Sequence, residues 1–305
     1  STLDPNYQEI GLLYSQAAFS PDGTKLAFSA LAGAAEVLHV LNVKTLKRVA
    51  TIKPPLDGLT SPSWSPDGER IVFSGAHGGI TDLYIVDADG KNLTPLMHDK
   101  NGDTQPQWSP DGRTIAFATE RGPGTDLTDL VFPRLRIALL DVATHHIELL
   151  PNQVGQNINP NWSPDGKTIA FISNRSGIPN VYLYDLESRQ HFPITNLVGG
   201  VTAITDVSPA LSWARTADRL AFNYYEGDDY TIWIVDDPRS LQRAPVPEAV
   251  TAVPTADTTA SGEGGDAAVA YYNGATGYRR AEAMPAGVEP GGVLPISVAA
   301  ILDTG

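Results

Sequence analysis

Between about residues 15 and 243, hydrophobic and polar residues alternate with a period of two in runs of four to seven, rich in Val, Ile, Phe and Tyr. Side chains of a strand point alternately to its two faces, so this pattern predicts short β-strands. The stretch Gln105 to Leu150 shows four of them, Gln105 to Ser109, Thr114 to Thr119, Leu135 to Asp141 and Ile147 to Leu150. No long helical period competes with them.

The alternation is organised as a repeat. Phe19-Ser20-Pro21-Asp22-Gly23, Trp64-Ser65-Pro66-Asp67-Gly68, Trp108-Ser109-Pro110-Asp111-Gly112 and Trp162-Ser163-Pro164-Asp165-Gly166 are each followed by a strand ending in Ala-Phe or Val-Phe. A fifth copy keeps Trp213 and Phe222, nine residues apart as in the others, but carries Ala214-Arg215-Thr216-Ala217 in place of the turn. Successive anchors lie 45, 44, 54 and 51 residues apart. An Asn or Asp follows the strand aromatic by 14 residues in four copies, ending at Asn42, Asp87, Asp185 and Asp236, whereas Phe117 to Asp141 spans 24. The third unit therefore carries an insertion between about Glu120 and Pro133, and the fourth a shorter one in about Leu197 to Asp206.

In Ser-Pro-Asp-Gly, proline presets the second turn position, aspartate accepts local backbone hydrogen bonds and glycine takes the left-handed conformation that closes a bulged hairpin. Four strands joined this way make one antiparallel sheet, which cannot bury both faces alone, so the copies must stack face to face. The aromatic before each turn fills the space between neighbours. Radial closure leaves only short sheet edges exposed. The predicted fold is all-β, a β-propeller of four-stranded antiparallel blades with five recognisable repeats.

On these Trp/Phe-Ser-Pro-Asp-Gly copies, the chain resembles the TolB-type β-propellers, built from WD40-like repeats named for their Pro-Asp pair, over about residues 15 to 243. The resemblance implies six blades when complete, a periplasmic or extracellular place in the bacterial cell envelope, and a lipoprotein or outer-membrane partner. It also implies an N-terminal α/β domain, which this sequence lacks. Residues 1–14 read as the end of a preceding blade or a closing segment. Residues 244–305 turn rich in Ala, Gly, Pro and Thr and read as a linker or tail, in which Ala267 to Tyr272 and Val293 to Ile301 are strand-like and offer a closing strand. Similar propellers are modules of larger envelope proteins, so further domains outside this sequence are expected.

Composition narrows the function. With 21 basic and 35 acidic residues spread along 305, the net charge of −14 disfavours nucleic acid and anionic membrane surfaces. No apolar run approaches the roughly 18 residues of a membrane helix. Ser1 is not an initiating Met, so the chain reads as a mature or trimmed product. The absence of cysteine removes disulfides, thiolate metal sites and cysteine nucleophiles, and suits an oxidising compartment.

In a four-stranded meander the first and third turns lie at one end, and the second loop and the connector to the next blade at the other. The Ser-Pro-Asp-Gly turns thus share one rim, and both insertions fall on the opposite rim, around the channel mouth. Loops free of turn constraints commonly carry binding. Asp103, Arg121, Asp126, Asp129, Asn157, Arg175 and Asp206 are the candidate partner-binding residues there.

Signals for catalysis or cofactors are poor. The six histidines, His39, His77, His98, His145, His146 and His191, do not converge as a metal centre requires, and each reads as a lone surface imidazole. Asp99, Asn101 and Asp103 have the spacing that opens a calcium loop, but Thr104 and Pro110 stand where glycine and a bidentate glutamate belong, so they read as turn-stabilising residues. No nucleophile elbow, zinc-protease helix or phosphate loop appears. Tyr224, Tyr225, Tyr230, Tyr271, Tyr272 and Tyr278 are expected mostly at strand positions packed between blades. The reading is a non-catalytic envelope scaffold, with no cofactor or metal, that binds a protein or peptide at the channel mouth. The alternatives are a gating propeller of a larger peptidase, or a propeller lyase or glycosidase with its site in the channel.

Overall fold

A computed structural model describes residues 9–10, 15–246 except 34, 123, 126–133, 203–207 and 227, and 279–280. Five antiparallel sheets are present among them. Blade 1 contains β1 (Glu9–Ile10), β2 (Ala18–Phe19), β3 (Lys25–Ala32), β4 (Ala35–Asn42) and β5 (Arg48–Ile52). Blade 2 contains β6 (Gly58–Trp64), β7 (Arg70–His77), β8 (Ile80–Asp87) and β9 (Thr94–Pro95). Blade 3 contains β10 (Asp103–Trp108), β11 (Thr114–Thr119), β12 (Arg136–Asp141) and β13 (Ile147–Leu149). Blade 4 contains β14 (Asn157–Trp162), β15 (Thr168–Ser173), β16 (Asn180–Asp185) and β17 (Gln190–Pro193). Blade 5 contains β18 (Leu211–Trp213), β19 (Arg219–Glu226), β20 (Asp229–Asp236) and β21 (Arg279–Arg280).

Strands follow chain order in each sheet, as a meander requires. Glu9–Ile10 and Ala18–Phe19 both pair with β3 in blade 1, and Arg279–Arg280 pairs with Trp233 and Ile234 at the edge of blade 5. The strand-like pieces at 267–272 and 293–301 lie outside the described residues.

The Ser-Pro-Asp-Gly turns have the geometry their chemistry dictates. Each serine hydroxyl donates to the aspartate two residues on, at 2.5, 2.5, 2.6 and 2.7 Å in blades 1 to 4. Each glycine N–H donates to the serine carbonyl at 2.8–3.0 Å, with φ between 66° and 72°. The serine oxygen also accepts the N–H of the residue five ahead, from Lys25, Arg70, Thr114 and Thr168. These contacts hold Asp22 down at about 2, chiefly through the Ser20 hydroxyl and the Thr24 N–H. In Asp67, Asp111 and Asp165 partial burial opposes the same bonds, yet each stays below the usual carboxylate value.

The anchors are wedged between successive sheets. Trp64 is fully buried and donates its indole N–H to the Ala18 carbonyl of blade 1 at 3.0 Å, as Trp162 does to Gln107 of blade 3 at 3.1 Å. Ala27, Leu38 and Val40 of blade 1 form one core with Ile71, Phe73 and Tyr84 of blade 2. Blades 2 and 3, 3 and 4, and 4 and 5 join in the same way, with Phe117, Phe171 and Phe222 buried at the equivalent position. Strand β15 is buried at all six positions because a blade covers each face. In blade 5, where the turn motif is lost, Arg215 reaches across the ring to the Trp64 carbonyl of blade 2 at 3.3 Å.

Candidate partner-binding rim

The inner strands β6, β10 and β14 each carry a bulge with positive φ, at Ser61, Gln105 and Asn159. The backbone groups freed there are taken up by side chains of other blades. Ser61 N–H donates to the Ser15 hydroxyl, Asn159 N–H to Gln105 Oε1, and Ala210 and Leu211 N–H to Asn159 Oδ1. This chain of bonds fixes the inner strands rigidly and sets the spacing of the residues that begin them on the long-loop rim.

Asp103 and Asn157 are those first residues in blades 3 and 4, each five positions before its tryptophan. Arg121 and Arg175 lie 18 residues further on, just past the ends of β11 and β15. The structure brings both pairs together. Arg121 spans Asp99 and Asp103, and its Nη1 also donates to Thr119 Oγ1 at 2.9 Å. The cation between Asp99 and Asp103 is thus a guanidinium, and Asn101 N–H caps Asp99 at 2.8 Å, consistent with a turn-stabilising role. Asp103 is fully buried with Oδ2 unpartnered, and this burial pushes its carboxyl up to about 7 against the pull of Arg121.

In blade 4 the acid is missing. Arg175 donates to Asn157 Oδ1 at 3.2 Å and to Ser173 Oγ at 3.1 Å, and stacks over Tyr182 and Phe171 at 4.8 and 5.5 Å. Its Nη1 has no acceptor, and burial lowers it to about 10. Asp126, Asp129 and Asp206 lie outside the described residues.

The histidine expectation is corrected for two residues. His39 and His191 are buried, at 0% and 2% exposure, because each lies in a strand against its own blade's aromatic. His39 packs on Phe28 and meets Thr51 Oγ1 through Nδ1 at 3.1 Å. His191 lies edge-on to Phe171 and donates from Nε2 to the Pro151 carbonyl at 2.7 Å. Burial, reinforced by Arg175, lowers His191 to about 4 and keeps it neutral. The tyrosine expectation also changes: Tyr225 and Tyr230 are about half exposed and pair edge-to-face at the β19–β20 hairpin, where no blade among the described residues covers them.

Sequence reasoning missed a cavity of about 390 Å³ on this rim between blades 4 and 5. Ile158, Ile172, Val201 and Ala210 supply apolar walls, and Gln156 and Asn174 lie just before β14 and just after β15. Asn174 Oδ1 accepts the Gln156 N–H at 2.7 Å, and Gln156 Oε1 accepts the Leu135 N–H at 3.3 Å. The only sequence signal for it was the extra length before blade 5. At the opposite rim, a smaller opening of about 200 Å³ on the axis is lined by the turn prolines, four tryptophans and Arg215.

Comparison with known proteins agrees with this architecture. The TolB beta propeller domain family matches residues 12–130. The Tol-Pal system protein TolB of Bordetella avium is 44% identical over 46 residues, 15% of this chain and 10% of that protein. TolB from Acinetobacter baumannii superposes with a TM-score of 0.60 at 21% identity, covering 76% of this chain and 54% of that one. Putative TolB from Agrobacterium tumefaciens gives 0.57 at 21% identity, over 73% of this chain and 77% of that one. The matched segments thus span about a tenth of the curated relative and about half of the Acinetobacter structure; at such identity the solved structures share the fold. With four intact repeats, five packed blades and the family match over residues 12–130, the chain is a β-propeller similar to those of the TolB family.

Proposed function

We propose that this chain is a non-catalytic binding module of the bacterial cell envelope, which holds a protein or peptide partner at the channel mouth on its long-loop rim. The observation that carries this reading is the contrast between the two rims. On the turn rim the serines, aspartates and glycines satisfy one another within each hairpin. On the long-loop rim Asp103 with Arg121 and Asn157 with Arg175 form two polar pairs, and a cavity opens between blades 4 and 5. Asp126, Asp129 and Asp206 belong in sequence to the two insertions and are included in the proposed face. The TolB relatives, named as Tol-Pal system proteins, support an envelope setting.

The test is photo-crosslinking in envelope extract, with a crosslinking residue placed at exposed Ser176 or Val198 on the long-loop rim, or at exposed Glu69 or Arg113 on the turn rim. A discrete partner captured from the first pair alone is expected. Capture confined to the second pair, or none from the first, refutes the proposed face.

A further inference from the structure

The cavity between blades 4 and 5 has a chemistry of its own. In a chain of net charge −14, none of its lining residues is acidic among those described. Arg134, which lines it, is exposed and makes no hydrogen bond or ion pair among the described residues. Thr202 is also in the wall, and its hydroxyl is buried without a partner among the described residues, although its N–H is held by the Asn223 carbonyl at 3.2 Å. Nearby Arg175 is a second cation of this rim without an acid beside it among the described residues.

The surroundings are apolar. Val154, Ile178 and Val198 are exposed at 49%, 38% and 64%, Val154 and Val198 in the connections on either side of blade 4 and Ile178 in its β15–β16 loop, all at this rim. Gly200 allows this arrangement: with φ of 72°, it lies so close to Ile178 and the Pro179 carbonyl that a Cβ would fall 2.7 Å from that oxygen. The connector at 197–202 therefore hugs the blade 4 loop, with the Val201 N–H donating to the Pro179 carbonyl at 2.7 Å. A pocket with apolar walls and a few aimed polar groups is the common form of a ligand site, and its volume suits two or three side chains.

We infer that this cavity receives an extended acidic segment of a protein partner, whose aliphatic side chain enters between Ile158, Ile172 and Val201 while its carboxylate pairs with Arg134. The Thr202 hydroxyl is placed to donate to a backbone carbonyl of the same segment. Charge complementarity selects the acid: an aliphatic peptide bearing lysine would meet Arg134 and Arg175, neither of which has an acid beside it among the described residues. This assignment rests on the long-loop rim being the partner-binding face.

The experiment titrates a labelled, terminally blocked hexapeptide of alternating Leu and Glu into the intact chain, beside the same peptide with Gln in place of Glu. Saturable binding of the Glu peptide is expected, about fivefold tighter than the Gln peptide and weakened by salt. Arg134→Gln, at an exposed and unpaired position, is expected to abolish that preference, and Thr202→Val to weaken both peptides alike. No saturable binding of the Glu peptide, or a preference that survives Arg134→Gln, overturns the assignment. Crosslinks from Ser176 and Val198 combined with a failed titration refute the cavity alone, whereas loss of those crosslinks refutes the face itself.

Discussion

Arg175 donates to Asn157 across 3.2 Å at the place in blade 4 where Arg121 meets Asp103 in blade 3. The two blades share a backbone plan, and a single change from carboxylate to amide alters the electrostatics of the rim. In blade 3 the guanidinium is compensated twice, by Asp99 and Asp103. In blade 4 the amide does other work, since Asn157 Nδ2 donates to the Val154 and Gly155 carbonyls at 3.3 and 3.0 Å. A carboxylate could not make those bonds. The amide ties down the connector, and the positive charge of Arg175 remains available to the rim.

The buried acid of blade 3 gives a pH signature. Asp103 is raised from 3.8 to about 7 by burial, so the fold binds its proton more readily than the unfolded chain does. Its contribution to stability therefore rises as pH is lowered from about 7 toward 4 and falls as pH is raised through that window. Denaturant unfolding of the wild type and Asp103→Asn at several pH values is expected to show the wild type losing ground to the variant between pH 5 and 8. Parallel curves would remove this account of Asp103.

His191 acts in the opposite sense. Burial and Arg175 depress it from 6.5 to about 4, so the native state holds it neutral. The stability it confers is complete above pH 6.5 and is lost as pH falls toward 4. His191→Phe forfeits the bond to the Pro151 carbonyl and is expected to cost about 1–2 kcal/mol at neutral pH. That deficit should shrink by pH 5, because phenylalanine has no proton to take up. A deficit independent of pH would show that His191 carries no such penalty.

The turn glycines differ in what lies against them. Gly112 has φ of 70°, and a Cβ there would stand 3.1 Å from Pro66 of the preceding blade, whereas at Gly166, with φ of 69°, the nearest atom of Pro110 is 3.6 Å away. Both Gly112→Ala and Gly166→Ala place a Cβ in left-handed backbone, at about 1–2 kcal/mol each. Gly112→Ala adds a contact between blades 2 and 3, so its midpoint in a thermal melt should be the lower of the two. Equal midpoints would mean that the prolines yield freely.

The sequence made the repeating unit legible because turn chemistry is local: proline, aspartate and glycine act within five residues, and the structure reproduces the four strands of unit three to within a residue or two. Pairings between blades were not visible as such. Even so, the constant separation of 18 residues from Asp103 to Arg121 and from Asn157 to Arg175 was a signal in the repeat. His39 and His191 were misplaced because period-two alternation cannot tell a strand face open to water from one covered by another part of the ring. The cavity depends on how the connector at 197–202 passes Ile178, and no local pattern encodes that path.

The tryptophan anchors look interchangeable in the repeat but are bonded differently. The Trp64 indole N–H is held by the Ala18 carbonyl at 3.0 Å, whereas the Trp108 Nε1 is buried without an acceptor. Each ring also lies under a cation, Lys25 at 5.8 Å over Trp64 and Arg70 at 5.2 Å over Trp108, so that contribution nearly cancels in a comparison. Replacing either ring with phenylalanine leaves a void, but Trp64→Phe also forfeits a buried bond between blades, from the indole to the Ala18 carbonyl, while Trp108→Phe removes a polar group that burial already penalises. Trp64→Phe is therefore expected to be more destabilising than Trp108→Phe by about 1–3 kcal/mol in urea unfolding. If Trp108→Phe cost as much or more, the bond to Ala18 would not be what joins blade 2 to blade 1, and packing alone would have to explain the anchor.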